Sequence, residues 1–237
     1  MKFRYSKRFI VEEADACYHV ITRTIGDEYL FDDREKEVFR RMLWKQAAFA
    51  GVEVLTYAVM SNHVHLLLRV PYVSDAALTD DVLIRRYDAL YGDYVPPGAH
   101  SPDELRSLLS QDDARAARIR FQLKARMGDL AVFMQELKRR FTRWYHHANG
   151  GHGTIWAEKY KALLVEDEPE VLSVVAAYID LNPVRAQLAE EPAGYRFCGY
   201  ADALGGNPSA RKGLMYVASG SDWEEAQARY RLWIYEK

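Results

Sequence analysis

Residues 54–70 read VLTYAVM, then Ser61-Asn62, then HVHLLLRV. Two apolar, β-rich runs parted by a two-residue turn spell a β-hairpin. Working outward, residues 17–25 (CYHVITRTI) make an earlier strand that Gly26 ends. Between that strand and the hairpin, Asp32 or Asp33 caps a helix running to about Ala50. Val38, Phe39, Met42, Leu43 and Ala47 fall at its helical spacing, and Gly51 closes it. Beyond the hairpin, Leu130 to His147 is a second helix, with Val132, Phe133, Leu137, Phe141 and Trp144 inward and Lys138, Arg139, Arg140 and Arg143 outward. Tyr160 to Val165 is a fourth strand. Asp167 caps a further helix with Pro169 in its first turn, which Asn182-Pro183 stops.

That order is β-α-β-β-α-β followed by one more helix. It predicts an α+β chain of ferredoxin-like, split β-α-β plan: one antiparallel sheet, two helices on one face, the other face open. Residues 72–127, acidic and then basic around Pro96-Pro97-Gly98, read as an insertion. The expected organisation is one domain over 1–200 carrying that insertion. A tail over 201–237, with Trp223, Tyr230 and Trp233 on a helix, packs on it or forms an interface.

Across 237 residues the formal charge is −2, with 49% hydrophobic and 13% aromatic residues, which excludes a disordered, collagen-like or disulfide-stapled chain. The two cysteines, Cys17 and Cys198, are far apart and read as reduced, buried thiols. Nothing suggests a signal peptide or a membrane span, so a cytoplasmic protein is expected. The charge is unevenly spread. Lys2, Arg4, Lys7 and Arg8 open the chain without an acid. Residues 115–143 carry nine basic side chains against Asp129 and Glu136, whereas 75–113 are acidic. Such a stripe neutralises phosphates, and it is equally the solvated face of a helix.

His63 and His65 stand two apart on a strand and therefore share one face, where both imidazoles can meet one ion. By itself such a pair is as well explained by surface or hydrogen-bonded histidines. Tyr178 and Asn182 stand four apart on the last helix, one above the other. The Asn182 amide oxygen can join two imidazoles around Mg²⁺ or Mn²⁺, with Tyr178 over the ion's open side. The plainer alternative makes Tyr178 a core residue and Asn182 a cap before Pro183.

His63-Val64-His65 resembles the His-hydrophobe-His (HUH) motif of single-tyrosine transposases. Tyr178-Ile179-Asp180-Leu181-Asn182-Pro183-Val184-Arg185-Ala186 resembles the Tyr-Ile-x-x-Asn-Pro-Val-Arg-Ala block of their REP-associated branch. Gly153-Thr154-Ile155-Trp156 with Lys159-Tyr160-Lys161 is similar to that branch's Gly-x-x-Trp-x-x-Arg-Tyr-Lys, and Tyr18-His19-Val20-Ile21-Thr22-Arg23 fits its opening strand. The four blocks run in family order over roughly 17–200. Thr24 stands where the family has Gly and Lys159 where it has Arg; both positions are expected to face DNA.

The resemblance implies a transposase that cleaves and rejoins single-stranded, hairpin-bearing (REP-like) DNA through a 5′-phosphotyrosine. Tyr178 would be the nucleophile, with Mg²⁺ or Mn²⁺ held by His63, His65 and Asn182. Expected DNA contacts are Arg23, Lys138, Arg139, Arg140, Arg143, Lys159, Lys161 and Arg185, with Trp156, Tyr160 or Tyr18 stacking a base. It further implies a bacterial, nucleoid-associated protein acting as monomer or homodimer. Two alternatives stand beside it: a domesticated hairpin-binding protein that does not cut, and a metal-dependent phosphodiesterase in which water attacks.

Overall fold

The computed structural model describes residues 11, 14–111 and 113–235; the basic opening at 1–10 lies outside them. Four strands, β1 (Ala16–Arg23), β2 (Glu53–Val59), β3 (His63–Val70) and β4 (Lys161–Val165), form one sheet in the order β2-β3-β1-β4. Every neighbouring pair is antiparallel. This is the split β-α-β arrangement expected from the hairpin outward.

Helices α1 (Asp33–Ala50) and α5 (Leu130–Asn149) cover one face. Their limits follow local chemistry. The Asp32 carboxylate accepts the Arg34 and Glu35 N–H groups, and Gly51 closes α1 at φ 70°. Between sheet and helices, Phe31, Phe39, Phe141 and Trp156 pack edge to face with ring centroids 5.2–6.3 Å apart.

The opposite face is not open. Helix α6 (Pro169–Asp180) and the short α7 (Asn182–Arg185) cross it, and three C-terminal helices follow. These are α8 (Gly199–Leu204), α9 (Pro208–Ala218) and α10 (Trp223–Tyr235). The side chain of Asp167 does not cap α6, whose N-cap position is Glu168; Asp167 accepts the Tyr216 hydroxyl of α9 at 2.7 Å. Helix α9 lies against β2 at Gly213, where an added Cβ would sit 2.4 Å from the Val54 carbonyl oxygen. Helix α10 packs on α6 and α9 through buried Ala226, Tyr230 and Ile234.

The segment 72–127 holds three helices: α2 (Asp80–Tyr91), α3 (Pro102–Leu109) and α4 (Ala114–Lys124). It is bolted to the core. Arg126 grips Glu136 of α5 at 2.6 and 3.0 Å, Gln46 of α1 donates to the same carboxylate at 2.9 Å, and Arg140 reaches the Tyr91 hydroxyl at 2.5 Å. Burial raises the Glu136 pKa, and Arg126, the Gln46 amide and the Arg140 charge together more than offset it, so the net direction is down. Cys17 and Cys198 are buried and reduced; burial pushes the Cys17 thiol up to about 12. Among the described residues no helix is long and apolar enough to cross a membrane.

Candidate active site

β3 begins at His63, so His63 and His65 present on the face that α6 crosses, as the alternation requires. Their ring centroids are 5.0 Å apart. The register pairs Ile21 with His65 and His19 with Leu67, which makes His19 the diagonal neighbour of His65. Its Nε2 lies 3.0 Å from His65 Nδ1. Burial, reinforced by the charges of His63, His19 and Arg23, pushes His65 down to about 3. Burial also lowers His19, and burial with the Arg23 charge lowers His63. The rings are neutral near pH 7, the form in which imidazole binds a metal.

Helix α6 brings Tyr178 over this cluster. The ring stands 6.0 Å from His19 and 5.9 Å from His65, and it is 41% exposed. That combination rules out the core reading: the phenol is held beside the histidines yet open to a substrate. Arg185 of α7 stacks its guanidinium 4.9 Å from the Tyr178 ring centre. Asn182 folds its amide N–H back onto the Tyr178 carbonyl at 2.8 Å, so its Oδ1 remains an acceptor. Tyr178 thus stands with His19 and His65, while Asn182 is fixed to the tyrosine's own turn. Tyr145, the other tyrosine on a basic helix, packs instead on Phe141 and His146.

The helix that carries Tyr178 is anchored by Asp180, a fully buried acid that the motif reading passed over. It accepts from Tyr230 Oη (2.6 Å), Thr56 Oγ1 (2.8 Å) and the Tyr200 N–H (3.0 Å), tying α6 to α10, β2 and α8. Burial pushes its carboxyl up to about 6 against those donors.

Two imidazoles and one amide oxygen suit a hard divalent cation that keeps open positions for water or phosphate. Among the described residues no three His, Cys, Asp or Glu side chains are grouped to hold an ion.

Several expected DNA contacts are displaced. Lys138 is buried rather than outward: its ammonium turns in to the carbonyls of Glu158 and Lys159 and lies 5.0 Å from the Trp156 ring. Trp156 is 5% exposed, with its indole N–H on Thr142, and belongs to the core. Tyr160 and Tyr18 are buried as well, and the Tyr18 hydroxyl receives the Val11 N–H. Thr24 is fully buried with its hydroxyl within 3.0 Å of the Glu28 and Asn62 carbonyls, so it does not face DNA. Part of the 115–143 stripe is neutralised internally, Arg120 by Asp80, Lys124 by Asp75 and Arg126 by Glu136, and Arg140 is turned in to stack on Tyr91. Arg139, Arg143, Lys159, Lys161, Arg185 and Arg23 remain at the surface. Two adjoining open grooves of about 630 and 450 Å³ run past Trp156; Lys159 lines one, Arg139 and Arg143 the other.

The chain combines an antiparallel split β-α-β sheet, a histidine pair on an inner strand and a helix-borne tyrosine over it. Residues 13–77, from before β1 through β3, are similar to the family model of IS200-like transposases. No curated protein matches the chain. Among solved structures, one of a REP-associated tyrosine transposase bound to a REP hairpin is 13% identical, covering 88% of this chain and 90% of that one, with a TM-score of 0.45.

Proposed function

We propose that this chain is a metal-dependent transposase of the single-tyrosine type, which cleaves and rejoins single-stranded DNA bearing hairpins. The observation that carries the reading is Tyr178, exposed and held within 6.0 Å of two buried neutral histidines on an IS200-like segment.

In this reading the Tyr178 oxygen attacks the scissile phosphorus. One P–O bond forms to tyrosine and one breaks to the departing 3′-oxygen, which leaves as a hydroxyl. The DNA stays attached as a 5′-phosphotyrosine, and a second 3′-hydroxyl reverses the exchange. Bond type is conserved, so rejoining needs no external energy source. His63, His65 and Asn182 would hold Mg²⁺ or Mn²⁺, which when bound would supply charge neutralisation at the phosphate. Arg185 steadies the Tyr178 ring by its cation–π contact. Arg23, Arg139, Arg143, Lys159, Lys161 and Arg185 hold the backbone phosphates. Such a substrate puts the protein at the bacterial nucleoid.

The test incubates the protein with end-labelled single-stranded hairpin DNA from its own genomic flanks, with Mn²⁺ or Mg²⁺. A denaturant-resistant protein–DNA band that disappears in Tyr178→Phe and with chelator is the expected result. Cleavage that survives Tyr178→Phe without a band makes it a phosphodiesterase using water. Binding with neither band nor cleavage makes it a hairpin-binding protein.

A further inference from the structure

We propose that Asn62 and His19 are positioning residues that fix the tautomers of His63 and His65, leaving Nε2 of each ring as the nitrogen offered to a divalent cation. The inference rests on the metal reading of the same site.

The His63 half begins in the turn after β1. Asp27 adopts a left-handed conformation, φ 55°, and its carbonyl accepts the Asn62 side-chain N–H at 3.0 Å. That bond orients the amide, so the atom 2.7 Å from His63 Nδ1 is Asn62 Oδ1. A carbonyl oxygen only accepts, hence the proton sits on Nδ1 and the lone pair on Nε2. Asn62 is itself held, because its main-chain carbonyl receives the Thr24 N–H at 2.9 Å and Thr24 is fully buried. Asn62, the residue before β3, therefore connects the end of β1 to the chemistry of the first histidine.

The His65 half is a ring-to-ring bond. His19 Nε2 and His65 Nδ1, 3.0 Å apart, share one proton. With the proton on His65, its Nε2 carries the lone pair and ligates; with the proton on His19, it cannot. Ligand histidines generally donate their second N–H to an acceptor that fixes ring and tautomer. His19 is 8% exposed and wedged between His65 and Tyr178, a place suited to that acceptor rather than to contact with DNA.

The experiment measures Mn²⁺ affinity by the loss of free-ion EPR signal, with the full chain and no DNA. It also reads histidine tautomers by ¹⁵N NMR of the metal-free wild type, with His63→Gln and His65→Gln assigning the signals. Expected are Nδ1–H forms for both rings and a 10–100-fold weaker Mn²⁺ affinity in His19→Phe and Asn62→Leu, the usual scale for such partners. His19→Gln, whose amide oxygen can accept from His65, recovers most of the loss; thermal melts identify any variant that has not folded. An Nε2–H form of His65, or unchanged affinity in folded His19→Phe and Asn62→Leu, overturns the positioning role while wild-type binding keeps the metal reading. Absence of Mn²⁺ binding by the wild type overturns both, whichever tautomers are seen.

Discussion

On the side of the sheet that α1 and α5 cover, Phe39, Leu43, Phe141 and Trp156 fill the space with apolar rings and side chains. On the side that α6 crosses, the same strands present His19, His63 and His65, and Thr56 reaches the buried Asp180. The alternation of a strand thus sends one set of residues into packing and the other into hydrogen bonds. The first side holds by area and shape, which tolerate exchange of one apolar residue for another. The second holds by donors and acceptors, each of which costs free energy when its partner is removed. Stability belongs mostly to the first and chemistry to the second, and the two should respond to different insults.

The sharpest break between them is Tyr178→Phe. Adduct formation should fall on the order of 10⁴–10⁶-fold, the scale of losing a covalent nucleophile, while the melting temperature stays put because the hydroxyl is at an exposed position. Trp156→Ala, on the other side, should cost about 3–5 kcal/mol of stability by opening a core cavity. A DNA-binding titration of Trp156→Phe checks the assignment: near wild-type affinity supports core packing, whereas a large loss restores the stacking role.

Acid separates the sides next. His65 is depressed in the folded state from 6.5 to about 3, so the unfolded chain takes the proton first, and stability drains as pH falls from 6.5 toward 3. The slope is at most about 1.4 kcal/mol per pH unit for this one group. Glu37, which bonds Arg40 and Arg41, is held down to about 2; its contribution is intact above 4.5 and is lost only below it. Asp180, raised to about 6, works the other way over the same range, so the check is a difference: the urea midpoint of the metal-free wild type should lose more between pH 6.5 and 4.5 than that of His65→Gln, while the more acidic window is the same in both. The smallest expected effect is Gly213→Ala, about 1–3 kcal/mol, as the new methyl pushes α9 off β2; a melting curve reads it.

Most of the apolar side was legible beforehand because its signals are local. Asp32 and Gly51 bound α1, and the hairpin gives β3 from His63 to Val70. Spacing placed the histidine pair on one strand face and Tyr178 one turn from Asn182, but it was the resemblance to the transposase motifs, not spacing, that singled them out. What escaped was everything that needs a partner far along the chain. His19 gains its meaning from His65, 46 residues away, and pairing β1 with β3 residue by residue would have found it. Asp180 lies unremarked inside its own motif because Thr56, Tyr200 and Tyr230 are its reasons for being there. Lys138 looks outward on a helical wheel, but a wheel does not know that the carbonyls of residues 158 and 159 lie within its reach.

The bolt joining α2–α4 to the core bears on how this chain can change over generations. Glu136 is buried and is matched by Arg126, which follows α4, with Gln46 on the same carboxylate. Excising residues 72–127 in one event would remove the arginine and strand a charge in the interior, a defect worth several kcal/mol. Replacing Glu136 first by an uncharged residue makes the same excision tolerable. The two changes are therefore epistatic, with a preferred order, and a lineage that holds the pair Arg126–Glu136 is locked into the longer form until the acid goes.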